Sequence, residues 1–196
     1  MRNYLFLFLL ASSYACIGQE ESTGSFYMSS DLSFGNYKVA AGLIGTYVLK
    51  NEYSLSIGVK GFLRDSGNTP DDYSRGSGFS SLFDFAGRFD EIVSFNAMAG
   101  RIYNLNNSGT IRFHGTAGLG YTVYNRPTNF VFVPGESGPN YAFSNHQYGT
   151  ISLIISPKIE FPFSKYFGMT LTPSIHLNKD DVFYSIGFGY MLGKLK

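Results

Sequence analysis

Seven segments of the chain alternate large apolar residues with small or polar ones at a period of two, and an eighth does so more loosely. Between Ile151 and Phe161 one set reads Ile151, Leu153, Ile155, Pro157, Ile159 and Phe161, and the other reads Ser152, Ile154, Ser156, Lys158 and Glu160. A period of two belongs to a β-strand, whose successive side chains point to opposite faces. On this basis strands are predicted over 25–34, 37–49, 53–63, from Val93 to the turn at Asn104–Gly109, and over 111–123, 151–161, 167–176 and 182–192. The loosest is 37–49, where Ile44 and Val48 fall in the small and polar set.

The connections divide into two kinds. Gly35-Asn36, Lys50-Asn51, Asn104–Gly109, Phe161–Lys165 and 178–181 are short and carry turn residues. Segments 65–90 and 125–146 are long; within the first, Phe79–Phe89 fits a strand, a short helix or a folded loop. Counting 79–89 as loop puts both long segments on one side of an up-and-down sheet, as barrels with short turns at one end require. Eight strands is then the consistent number. Eleven residues at ~3.3 Å each, tilted by about 40°, span roughly 28 Å, close to the apolar height of a membrane barrel.

Alternation alone does not say which face is outside. A soluble, lipocalin-like barrel would carry its apolar face inward and a polar face with roughly 25–35% charge outward. Here the polar face is mostly Gly, Ser, Thr and Ala, the small residues that a narrow eight-stranded interior admits. The apolar set is nearly free of charge and places aromatics near strand ends (Tyr37, Tyr47, Tyr53, Tyr103, Phe161, Phe167, Tyr190), as an interfacial girdle would. Arg101 falls on this face by strict count, near the end where its side chain reaches the interface. The apolar face is therefore expected outward, against lipid.

Composition agrees with this where it speaks at all. The 196 residues suit one domain, and 15% charged residues with a net charge of +1 leave no footprint for nucleic acid. A mean hydropathy of -0.03 is uninformative, because alternation hides the hydrophobicity of a barrel. Arg2 followed by the apolar run Tyr4–Ala11 and small residues predicts an export leader over 1–18, cut near Gly18, with the barrel domain over 19–196. The single cysteine, Cys16, lies in that leader, so an internal disulfide is not expected; lipidation of Cys16 is the alternative to simple cleavage.

With its leader, its turns, and the strand endings Gly118-Leu119-Gly120-Tyr121 and Gly187-Phe188-Gly189-Tyr190, the chain resembles the small OmpA-type outer-membrane barrels over Ser25–Leu192. The Bacteroidota kind without an attached periplasmic domain is the nearest in outline. The resemblance implies an all-β, eight-stranded antiparallel transmembrane barrel in the outer membrane, bathed in its lipid and inserted by the barrel-assembly machinery. The last strand departs from the usual terminal aromatic, since Phe188, Tyr190 and Leu192 are followed by Lys194-Leu195-Lys196.

Candidate chemistry is sparse. Asp31, Lys38, Lys60, Arg112, His114, Lys158 and Glu160 fall on the interior set, and buried charges must pair, so they are expected to form a network that plugs the lumen. A narrow conductance gated by those pairs is the alternative. Ser174 and His176 share one face of a strand, but no acid is placed to orient the histidine, so a lipid-modifying hydrolase is a weaker reading. The three histidines are scattered, and Asp65, Asp71 and Asp72 match no calcium-loop spacing, so neither metal nor cofactor is expected. Phe130, Phe132, Tyr141 and Phe143 in the second long segment are contact candidates for an unknown partner, against the plainer reading that they cap the mouth or prolong the strands as a hairpin. The function expected is that of a non-enzymatic outer-membrane barrel acting through its long outer segments. A small pore, a lipid-modifying enzyme and a soluble ligand-binding barrel stand behind it.

Overall fold

A computed structural model of the chain describes residues 24–50, 52–73, 89–134 and 140–195. The predicted leader and Phe79–Arg88 lie outside these residues. Among the described residues all regular structure is strand: β1 (Ser25–Gly35), β2 (Val39–Leu49), β3 (Tyr53–Asp65), β4 (Phe89–Asn104), β5 (Arg112–Phe132), β6 (Tyr141–Ile155), β7 (Lys158–Pro162), β8 (Phe167–Leu177) and β9 (Val182–Gly193). Every neighbouring pair is antiparallel, and β1 pairs with both β2 and β9, which closes the sheet. β6 and β7 are two halves of one stave, because both lie between β5 and β8. The break at Ser156-Pro157 follows from a proline without a backbone donor, while Ser156 N still donates to Thr116 O at 2.8 Å. Eight staves close the ring.

The two faces separate as the alternation predicts. β1 reads buried-exposed residue by residue from Ser25 to Leu32, with Phe26, Met28 and Leu32 outside and Tyr27, Ser29 and Asp31 inside. Outward apolar residues are bare, Ile57 to 71% and Ile151 to 69%, whereas inward Ser33, Thr46, Ser94 and Ser152 are wholly buried. Only an apolar surrounding medium makes such a surface stable, so the sorting is that of a transmembrane barrel. Ile44 and Val48 do point inward, as the loose second strand implied.

Two placements differ from expectation. Tyr37 is buried at the barrel mouth instead of joining the exterior girdle, and Lys38 stands half-exposed on the rim, paired with Asp65 at 3.3 Å, instead of entering the lumen. Both precede β2, which begins only at Val39, so the strand's alternation does not govern them.

The interior is a stack of layers. Toward the end where β1 begins and β9 finishes, Tyr27, Val48, Ile102, Met191 and Leu195 form an apolar floor. Ile44, Met98 and Ile154 meet at mid-height, and Tyr37, Ala40, Phe62, Ile92, Tyr124 and Phe183 form a lid near the long segments. Glycines make the tight places possible: a Cβ on Gly189 would collide with the Ser30 carbonyl of the neighbouring strand, across the seam where β9 meets β1.

Candidate functional site

The polar layers between those apolar ones hold most of the predicted lumen charges. Lowest is a network around Glu160, whose side chain is wholly buried. Its Oε1 accepts from the Tyr27 hydroxyl at 2.6 Å and lies 2.9 Å from His114 Nδ1, while Arg112 Nη2 donates to Oε2 at 2.7 Å. The far side of the imidazole meets Ser54 Oγ at 2.6 Å. Cross-strand pairing explains the assembly: Arg112 faces Glu160 and His114 faces Lys158 directly between β5 and β7. Above it, Lys60 Nζ donates to Asp31 Oδ2 at 3.1 Å and to Ser174 Oγ at 3.4 Å. Asp31 has room because Gly42 and Gly187 flank it; a Cβ on either would approach its carboxylate oxygens within 2.8 Å. Lys158 is buried, with its Nζ making no hydrogen bond to the protein.

Ser174 and His176 do share the inner face, but they act apart. Ser174 Oγ bonds Ser185 Oγ at 2.8 Å, and the His176 ring lies edge-on to Phe62 at 5.2 Å. Neither contact prepares a nucleophile.

Sequence reasoning missed two parts of this interior. The first is Leu195, 1% exposed, which folds back under the barrel. Gly193 turns the chain with φ of 131°, a conformation that side-chain-bearing residues rarely adopt. Leu195 N then donates to Lys165 O at 2.8 Å, and Leu195 O accepts from Arg112 Nη1 at 2.7 Å. The second is an ion clasp at the mouth. Arg64 bonds Asp181 Oδ1 at 2.8 Å and Asp90 Oδ2 at 3.0 Å, and Arg126 bonds Asp181 Oδ2 at 2.9 Å and approaches Asp90 at 3.5 Å. Arg126 also lies 4.9 Å above Tyr124, which stacks on Tyr148 at 4.8 Å and 4°. Continuing the inward parity through Phe62 to Arg64, from Ile92 back to Asp90, and through Tyr124 to Arg126 would have found three of the four members.

Beyond the clasp the second long segment proves to be largely strand. β5 runs on to Phe132 and β6 starts at Tyr141, with the register shifting between Thr128 and Val131. Pairing between β4 and β5 ends at Glu91–Asn125, so the hairpin rises seven residues past that point, about 23 Å. Its four predicted contact residues come together: Phe130 lies 5.6 Å from Phe143 and 6.4 Å from Tyr141, and Phe132 lies 5.5 Å from Tyr141. The first long segment joins them. Tyr73 packs on Phe130 at 5.9 Å, Tyr141 Oη donates to the Asp72 carboxylate at 2.9 Å, and Asn140 Nδ2 donates to Asp72 O at 2.8 Å. The hydrogen bond to Asp72 pushes the Tyr141 phenol above its usual range. Val131, Phe132 and Val133 remain exposed at 62%, 57% and 44%, an apolar stretch above a polar base within the described part of the hairpin.

The chain matches no protein-family profile, and no curated protein matches it. Solved structures do resemble it in shape. A major outer-membrane protein of Thermus thermophilus is similar with a TM-score of 0.57 and 8% identity, over 87% of this chain and 99% of that one. The N-terminal β-barrel domain of Pseudomonas aeruginosa OprF is similar with a TM-score of 0.52 and 11% identity, over 86% and 96%. A product of de novo design of transmembrane β-barrels reaches 0.50 at 9% identity, over 89% and 98%. At such identities the likeness is one of fold: an eight-stranded transmembrane β-barrel.

Proposed function

We propose that this chain is an exported outer-membrane barrel with a closed lumen, which works by holding an aromatic-rich hairpin outside the cell. The carrying observation is the pairing of a filled interior with a hairpin that Tyr141 ties to Asp72 and whose Val131-Phe132-Val133 stretch is exposed. A lumen layered with Tyr27, Phe62, Tyr124 and Phe183 and pinned by ion pairs serves as a rigid pedestal. Support for the address comes from the bare apolar exterior, from the leader predicted over 1–18 and from the outer-membrane proteins of like fold. Insertion by the barrel-assembly machinery follows from that address. The partner of that stretch is of a chemistry suited to aromatic and branched aliphatic contact.

The single cysteine, Cys16, falls in the predicted leader, which gives a direct test. In a Cys16→Ser background, Ser144→Cys on the hairpin is expected to react with a membrane-impermeant maleimide on intact cells. Asn107→Cys in the opposite turn should react only after the envelope is opened. The reverse pattern, or labelling of both in a detergent-free soluble fraction, overturns the assignment. Planar-bilayer recording of the purified protein should show no steady conductance, and an ohmic channel would replace the pedestal by a pore.

A further inference from the structure

The lipid-facing wall carries a second feature beside the hairpin. A groove of about 1020 Å³ crosses the staves from β1 to β6 at mid-height, walled by Phe26, Leu43, Ile57, Phe95, Leu119 and Tyr121. Its floor includes Ala97, which pairs with Ile57 and Leu119. Two residues along, Ala99 and Ala117 face each other across β4 and β5 with their methyl groups exposed, so the shallow surface continues downward. It ends at Arg101, the one outward-facing arginine within β4. The guanidinium lies 5.2 Å from the Tyr53 ring and 5.1 Å from the Tyr103 ring, and its Nη2 donates to Glu52 Oε2 at 2.9 Å.

The lengths match one leaflet. From Phe95 to Arg101 is six residues, ~20 Å along a strand, which becomes about 15 Å of depth at a tilt near 40°. Half of a ~30 Å hydrocarbon core is the same distance. Arg101 therefore stands at the headgroup level of the leaflet next to the short turns, and the exposed Ala99–Ala117 surface leads from there to the groove near the bilayer centre. At that depth a lipid-facing arginine is tolerated, and its remaining N–H donors lie within reach of headgroup oxygens. The guanidinium has five N–H donors, and the bond to Glu52 involves one nitrogen.

We propose that this face is a binding site for a zwitterionic phospholipid of the phosphoethanolamine type in the periplasmic leaflet. Its phosphate rests on Arg101, its ammonium faces Glu52, and one acyl chain lies over Ala99 and Ala117 toward the groove. Charge complementarity selects this occupant. A cation and an anion held side by side between two tyrosines match a headgroup that carries both signs, whereas a purely anionic headgroup would meet repulsion from Glu52.

Native mass spectrometry of the full-length mature barrel, released from detergent with defined mixtures of phosphatidylethanolamine and phosphatidylglycerol, tests this. Wild type should retain one phosphatidylethanolamine in preference to phosphatidylglycerol. Arg101→Ala should lower retention about tenfold, the effect of losing one charge-assisted contact. Glu52→Gln should shift preference toward phosphatidylglycerol, and Ala117→Leu, which fills the shallow surface, should weaken both. All three positions face outward, and heat-modifiable migration confirms that each variant folds. Equal retention of the two lipids, retention indifferent to Arg101→Ala and Ala117→Leu, or a second copy of the chain in place of lipid would each overturn the site. None of these outcomes bears on the hairpin, whose labelling test is separate.

Discussion

Glu160 is the point where the interior is most tightly committed. Its carboxylate gathers Tyr27, His114 and Arg112 within 2.6–2.9 Å and is sealed from solvent. Glu160→Ala removes the acceptor while Arg112 stays 7% exposed in the same layer. Breaking a buried ion pair from one side costs about 3–5 kcal/mol, because the remaining charge is left without compensation. Leu195 O still accepts from Arg112 Nη1 at 2.7 Å, which places the expected loss toward the lower end. With a urea slope of ~2 kcal/mol per molar, the unfolding midpoint should fall by about 1.5–2 M. The chain has no tryptophan, so the transition is best followed by far-ultraviolet circular dichroism and by the folded and unfolded bands of unheated gels. The companion variant Glu160→Leu with Arg112→Met removes both charges and should recover most of the loss. A fall below about 0.3 M in the single variant, or no recovery in the double one, would show that the network does not hold the barrel's lower half together.

Other consequences are as open to measurement. Ile57→Lys places a charge at mid-membrane on the exterior and should cost ~2–4 kcal/mol in liposome refolding, whereas Leu105→Lys near the interface should cost ~0–1; equal effects would contradict the inside-out sorting. Gly189→Ala should abolish the heat-modifiable band because its Cβ meets the Ser30 carbonyl, while Gly61→Ala, which has open space, should migrate as wild type. Replacing Asp90 and Asp181 by Asn weakens a partly exposed clasp, so stability should drop by only about 1 kcal/mol, yet amide exchange at the base of the hairpin should accelerate. The Tyr141 phenol is raised in the folded state by its bond to Asp72, so that bond's contribution is complete below the unfolded phenol's range and is lost as pH rises through the folded value. Tyr141→Phe should remove a component that titrates above the usual phenol range from the ultraviolet difference spectrum, and loss of a component inside that range would deny the contact.

Much of this architecture was legible because one rule, alternation, acts along the whole length of each stave. It predicts that Ile57 and Ile151 are bare and that Ser94 and Ser152 are sealed, and they are. It fails where the strand rule stops applying. Tyr37 and Lys38 lie before β2 begins, so their sides exchange. The expectation of a small-residue interior also overlooked Phe62, Tyr124, Phe183 and Met191, inward residues set toward the ends of the lumen, where they build its lid and floor. Partner choice was the least legible part. Arg64 and Asp181 are 117 residues apart, and only the stagger of the closed ring sets them at one height. The hairpin was readable in kind, since its apolar residues fit a prolonged strand, but not its junction with Asp72 and Tyr73.

The returning tail has a consequence for the order of assembly. Leu195 is held by Lys165 and Arg112, and Lys194 N donates to Phe26 O at 2.8 Å, so its three anchors come from the first stave, the fifth and the last turn but one. Arg112 and Lys165 reach Leu195 through the consecutive pairings of β5, β7, β8 and β9, but Phe26 reaches Lys194 only after β9 has met β1. Lys194 and Leu195 thus form a latch that is fully engaged only in a completed ring.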